Sequence, residues 1–183
     1  MEYLAGLAVF LIAAWGVYTY NRFVSLGRRA GEAWSGISVQ LRRRHDLVPA
    51  LVSVVKGYAA HEKDLFTEVA KARAEADAAP GPSAALARSE TRLDSLVNRL
   101  VAVAEAYPEL KASESFLALQ AALSETEDQL QMARRYYNGT VRNYMILYES
   151  FPSLLFPRLF SFQPREYFQL DHDGERAAPV VSL

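Results

Sequence analysis

Cysteine is missing altogether from these 183 residues. That excludes a disulfide framework, thiolate zinc sites, iron–sulfur clusters and cysteine nucleophiles. Glycine is sparse: nine residues, scattered singly, give no phosphate-cradling loop, dinucleotide fingerprint or nucleophile elbow. Neither sign of charge is in excess. Twenty basic residues face twenty-one acidic ones, so global electrostatics provides no reason to expect nucleic acid as a partner. Histidine occurs three times, each time followed by an acid: His45-Asp46, His61-Glu62 and His172-Asp173. Helical neighbours diverge by about 100°, so such pairs do not converge on a metal or a proton. His61-Glu62 opens like a zincin helix, but Leu65 stands where the second histidine belongs. No metal, no cofactor and no catalytic residue are expected, and the chain reads as a non-enzyme. Sustained alternation of period two is also missing, which argues against a sheet.

One long apolar run is present. Tyr3 to Tyr20, YLAGLAVFLIAAWGVYTY, carries no charge. As a helix it rises about 27 Å, close to the hydrocarbon thickness of a bilayer. Tyr3, Tyr18 and Tyr20 sit at its ends, where amphipathic aromatics favour the headgroup level. The start is Met-Glu without a basic region, and no small-residue cleavage site follows, so the segment reads as a retained anchor rather than a signal peptide. Residues 1–20 are thus expected to form a transmembrane anchor that meets the bilayer through residues 3–20. Arg22, Arg28 and Arg29 follow the span and only Glu2 precedes it, which places the body in the cytoplasm.

Beyond the anchor, apolar residues recur at three- and four-residue spacing. Ala30, Trp34, Ile37, Leu41, Val48, Leu51, Val55, Tyr58, Leu65 and Val69 predict one long helix, ended by Pro80-Gly81-Pro82 near Ala79. Leu86, Leu93, Leu96, Leu100 and Val103 mark a second helix, stopped by Pro108. A third opens at Ser113, a good N-cap, with a seam of Phe116, Leu119, Leu123, Leu130, Ala133, Tyr137, Tyr144, Leu147 and Phe151. The expected fold is all-α: an N-terminal transmembrane helix and an elongated antiparallel bundle of three long helices plus a short C-terminal one, with coiled-coil-like packing, over residues 21–170. Phe151 to Phe168 is dense in phenylalanine and proline. It reads as a short helix plus an extended aromatic strap, with a membrane- or partner-facing patch as the second reading. Residues 171–183 read as a flexible tail.

Two polar residues interrupt the first seam, Arg44 and Glu62. A guanidinium in a seam must be paired or reach solvent along its stem, so these residues are read as fixing helix alignment. A second reading makes Arg43, Arg44 and Asp46, with Arg134, Arg135 and Asn138 of the third helix, a binding groove. Pro49 offers an alternative break in helix one. If that helix is instead unbroken from Asn21 to Ala79, the second helix is too short to cover Ala30, Trp34, Ile37 and Leu41. Those four would then form an association surface, for a homo-oligomer or a membrane-protein partner.

Several blocks stand in a specific order: Arg43-Arg44-x-Asp46-Leu47-Val48-Pro49, then Glu105-Ala106-Tyr107-Pro108-x-Leu110-Lys111, then Ala133-Arg134-Arg135-x-Tyr137-Asn138, and FPSLLFPRLFSF from Phe151. In these blocks the chain resembles the LemA family, from the anchor to about Phe168. It departs from the family pattern at Met145 and Pro157. The resemblance implies an anchored helical bundle of the bacterial cell envelope, at the cytoplasmic (inner) membrane, and implies no reaction. The expected role is a single-pass membrane interaction or scaffold protein. The alternative is a lipid- or peptide-binding module using the Phe-rich segment, and after it a membrane-surface hydrolase using Glu105, Tyr107 or His61.

Overall fold

The computed structural model describes residues 1–169; the expected tail and His172 lie outside the described residues. The fold is all-α. Among the described residues six helices and no strand occur: α1 Glu2–Lys56, α2 Lys63–Ala78, α3 Ala84–Glu105, α4 Pro108–Lys111, α5 Glu114–Glu149 and α6 Leu155–Phe160. Pro80-Gly81-Pro82 ends α2 as expected, and Ser83 caps α3 by accepting the Leu86 amide at 3.1 Å. Pro108 occupies the first turn of α4, where its missing N–H costs nothing. Ser113 accepts the Phe116 amide at the start of α5, at 3.3 Å.

The long first helix does not reach Ala79, nor does it break at Pro49. It runs through Pro49 and ends at Lys56, and a turn over Gly57–Glu62 leads into α2. In that turn the Tyr58 and Ala59 amides donate to the Val55 carbonyl, and Ala59 tucks fully into the core. Gly6, Gly16, Gly27, Gly31 and Gly36 stay helical within α1, so Gly57 weakens the helix without deciding where it ends; the buried Ala59, small enough to let the chain reverse closely, sets the break here. Glu62 therefore precedes α2 and interrupts no seam. The expected three long helices are four.

The chain divides into two compact units. One combines residues 37–134 with residues 168 and 169. Its core draws on the C-terminal end of α1 (Val48, Leu51, Val55), on α2 (Leu65, Val69, Ala72, Ala76), on α3 (Leu93, Leu96, Val97, Leu100, Ala104), and on Leu110 and Phe116. The spacing is that of a single apolar stripe per helix.

The other unit joins residues 1–36 to residues 135–167. Its core is aromatic: Phe23, Tyr144 and Phe156, with Leu26, Met145, Leu147, Tyr148 and Phe162 packed around them. Trp34 meets Tyr137 edge-on at 5.5 Å and Phe23 meets Tyr144 at 5.8 Å, so the α1 and α5 segments of this unit pair antiparallel. After α6 the chain is extended, as the strap reading expects. The Tyr144 hydroxyl donates to the Gln163 carbonyl at 2.8 Å and the Tyr137 hydroxyl to that of Glu166 at 2.9 Å. Arg165 lies over the Tyr144 ring at 5.9 Å.

Candidate functional site

The basic run Arg42-Arg43-Arg44 is split by helical rotation. Arg42 and Arg43 face solvent, and Arg43 pairs with Glu125 at 3.1 Å. Arg44 and His45 turn inward, and Arg44 is only 3% exposed. A buried guanidinium needs carboxylates, and two helices, α3 and α5, supply them. Glu90 of α3, with 0% exposure, receives the guanidinium directly. Asp94, one turn further along α3, lies 3.6 Å from it, and Glu127 of α5 lies 3.2 Å away. Arg134 joins from the far side of Glu127 at 3.4 Å.

His45 extends the network to α2. Its Nδ1 lies 2.5 Å from Asp77 and its Nε2 lies 2.8 Å from Glu90. Each oxygen of Glu90 thus serves a different cation. Arg73 donates from Nε to the His45 carbonyl at 2.7 Å and approaches Asp77 at 3.8 Å. Two ring nitrogens that both face carboxylates are best satisfied when both carry hydrogens, which is the imidazolium form. Burial pulls the His45 pKa down, but the hydrogen bonds and charges of Glu90 and Asp77 outweigh it, and the pKa stands above its ordinary 6.5. For Glu90, burial pushes upward, but the His45 hydrogen bond and the Arg44 charge prevail and hold it below its ordinary 4.5.

Arg44, His45, Arg73 and Arg134 thus face Asp77, Glu90, Asp94 and Glu127, four cations against four carboxylates. The ring nitrogens of His45 point apart, so Asp77 and Glu90 do not converge with it on a common point. A network in which each of these charges has a counter-charge joins α1, α2, α3 and α5, and its chemistry is that of a register lock.

A model of the LemA family matches residues 33–183. The chain is a member of the LemA family. The match takes in the whole ion network. Among curated proteins, this LemA-family chain is 24% identical to the magnetosome proteins MamQ 1 and MamQ 2 of Paramagnetospirillum magneticum, over 96% of its own length and 73% of theirs. It is 22% identical to magnetosome protein MamQ of Magnetospirillum gryphiswaldense, over 89% of this chain and 68% of that one.

The residues singled out from sequence fare differently. Of the binding set, Arg43, Arg44, Asp46 and Arg134 belong to one unit, and Arg135 and Asn138 to the other. Arg44 is consumed in the network, while Asp46 and Arg135 are exposed. The association seam is corrected. Ala30, Ile37 and Leu41 are buried within the chain, and Trp34 is half-buried against Tyr137. The reason is the break at Gly57, which adds a reversal and brings α5 back alongside α1 within the unit that holds Trp34 and Tyr137. His45 is not isolated, contrary to expectation. His61 and Tyr107, considered for a hydrolase, do come together: the tyrosine hydroxyl lies 3.3 Å from His61 Nε2, at an exposed position. Periodicity alone does not single out Glu90, the hub of the network. Its signal was its place in the apolar stripe of α3, between Leu86 and Leu93.

Proposed function

We propose that this LemA-family protein is a membrane-anchored interaction protein of the bacterial cell envelope, in which residues 3–20 cross the bilayer and the helical body is the docking surface. The observation that carries the reading is the start of α1. Its most apolar stretch of eighteen residues is only 6% buried, so most of that surface has no cover within the chain. A core helix of a soluble domain would be mostly buried; a bilayer supplies the missing cover. The buried titratable groups of the ion network are spent on holding helices together, which supports a binding role over a reaction. The arginines after the span support the cytoplasmic membrane with the body inside.

The test is fractionation followed by co-purification. The full chain should stay in membranes through alkaline carbonate, and the chain without residues 1–20 should not. Detergent extracts should yield the protein with a specific partner or as a homo-oligomer. A carbonate-soluble full chain would refute the anchor, and a monomer that co-purifies with nothing would refute the docking role.

A further inference from the structure

We propose that the C-terminal Phe-rich segment is a second membrane contact: α6 and the turn before it lie in the bilayer interface beside the transmembrane helix, with the Phe151, Leu155 and Leu159 stripe immersed in lipid. The inference rests on the anchor reading and goes beyond it, since the anchor alone requires nothing of residues 151–160.

The argument starts from how α6 is held. Phe156 meets Trp15 edge-on at 5.5 Å, and Phe162 stacks on Phe23 at 4.8 Å with the rings 15° apart. Ser161, in the left-handed conformation, ends α6 and turns the chain so that Phe162 can make that stack. One side of α6 is thereby fixed to α1. Trp15 lies five residues inside the apolar run that ends at Tyr20. Phe156 also stacks over Phe23 at 6.3 Å, so it lies alongside α1 between these two rings, near the level of Tyr20 at the end of the apolar run. That level is the headgroup and acyl boundary, into which interfacial helices sink their apolar faces by roughly 5–10 Å.

The other side of α6 faces outward, and Arg158 is the one charge among its apolar side chains. Phe151 is 82% exposed and Leu159 73%, with Leu155 about half exposed between them at four-residue spacing. Phe160 meets Tyr20 at 5.1 Å and is also half exposed, so this surface continues that of the apolar run without a gap. Polarity changes in the order a bilayer demands. Further along α1, a groove of about 600 Å³ sets Arg22, Ser25, Arg29 and Asn143 beside Leu26 and Ile146, with no carboxylate in its lining. Aromatics packed along α1 up to the level of Tyr20, and arginines beyond it, match the acyl boundary and the anionic headgroups in turn. A protein partner would have no reason to respect that order. The occupant is therefore lipid.

The absence of cysteine makes the test direct. Full-length L11C, L159C and M132C proteins, each carrying a nitroxide label, are reconstituted in vesicles of phosphatidylethanolamine and phosphatidylglycerol. Collision rates with oxygen and with a water-soluble nickel chelate are then compared. The label at 159 should favour oxygen several-fold over the label at 132, in the direction of the label at 11. A water-like label at 159 beside a lipid-like label at 11 would overturn the second contact and leave the anchor standing. Water-like labels at both positions would remove the anchor, and the second contact with it. A label at 159 shielded from both reagents would mean that protein covers the stripe, and would also overturn the proposal.

Discussion

Glu90 is one carboxylate serving two cations, and removing its charge strands both. Glu90→Gln keeps the shape but leaves Arg44 and His45 buried with less counter-charge, so a loss of roughly 3–5 kcal/mol of stability is expected, read as a lower denaturation midpoint of the full chain in detergent. A change within experimental error would show that the network does not hold the helices. His45 adds a pH dependence whose direction follows from its raised pKa. Its contribution is fully present below 6.5 and fades as pH rises through the higher folded value. Glu90, with its pKa lowered, contributes above 4.5 and loses that contribution as pH falls through the lower folded value. The melting-temperature gap between wild type and His45→Asn should therefore be widest near pH 5–6 and narrow in alkali. A gap independent of pH would mean that His45 is neutral in the fold. Arg44 was legible in the sequence because a charge in an apolar seam is conspicuous. His45 was not, because adjacent inward-facing residues require helices on two sides, and only the tertiary arrangement supplies those.

At the scale of elements, the proline and serine signals placed their boundaries well. Pro80-Gly81-Pro82, Pro108 and Ser113 each act locally, so a sequence window contains the whole cause. The break at Gly57 escaped because its cause is shared: a weak helix former gains its turn only once Ala59 finds a core to enter. Periodicity puts Phe151 in the seam of α5, but the helix ends at Glu149 and Phe151 is left exposed. The strap itself is fastened by two phenols seven residues apart on α5. Burial raises both pKa values, so both remain hydroxyl donors well into alkali. Tyr137→Phe and Tyr144→Phe should each cost about 1 kcal/mol and speed amide exchange across residues 161–167, with little change in α2 and α3. Exchange that rises equally throughout the chain would indicate global destabilisation instead of a loosened strap.

For the whole molecule, orientation is the property that sequence charge addresses most directly. Arg22, Arg28 and Arg29 flank one side of the apolar run, and the body should therefore resist protease added to intact spheroplasts. Cleavage at the rate of an exported protein would reverse the assignment. The all-α class and the family were both readable before any coordinates, because helical periodicity and the ordered motif blocks recur along most of the chain. The division into two units was not readable, since it depends on which distant segments meet. That division also bears on biosynthesis. Residues 37–134 leave the ribosome as one contiguous stretch, whereas the aromatic unit is assembled from the first 36 residues and from residues 135–167. Local contacts close early and distant ones late. Nascent chains arrested near residue 150 should therefore already hold the Arg44–Glu90 pairing, while Phe23 still waits for Phe156 and Phe162, which have not yet been synthesised.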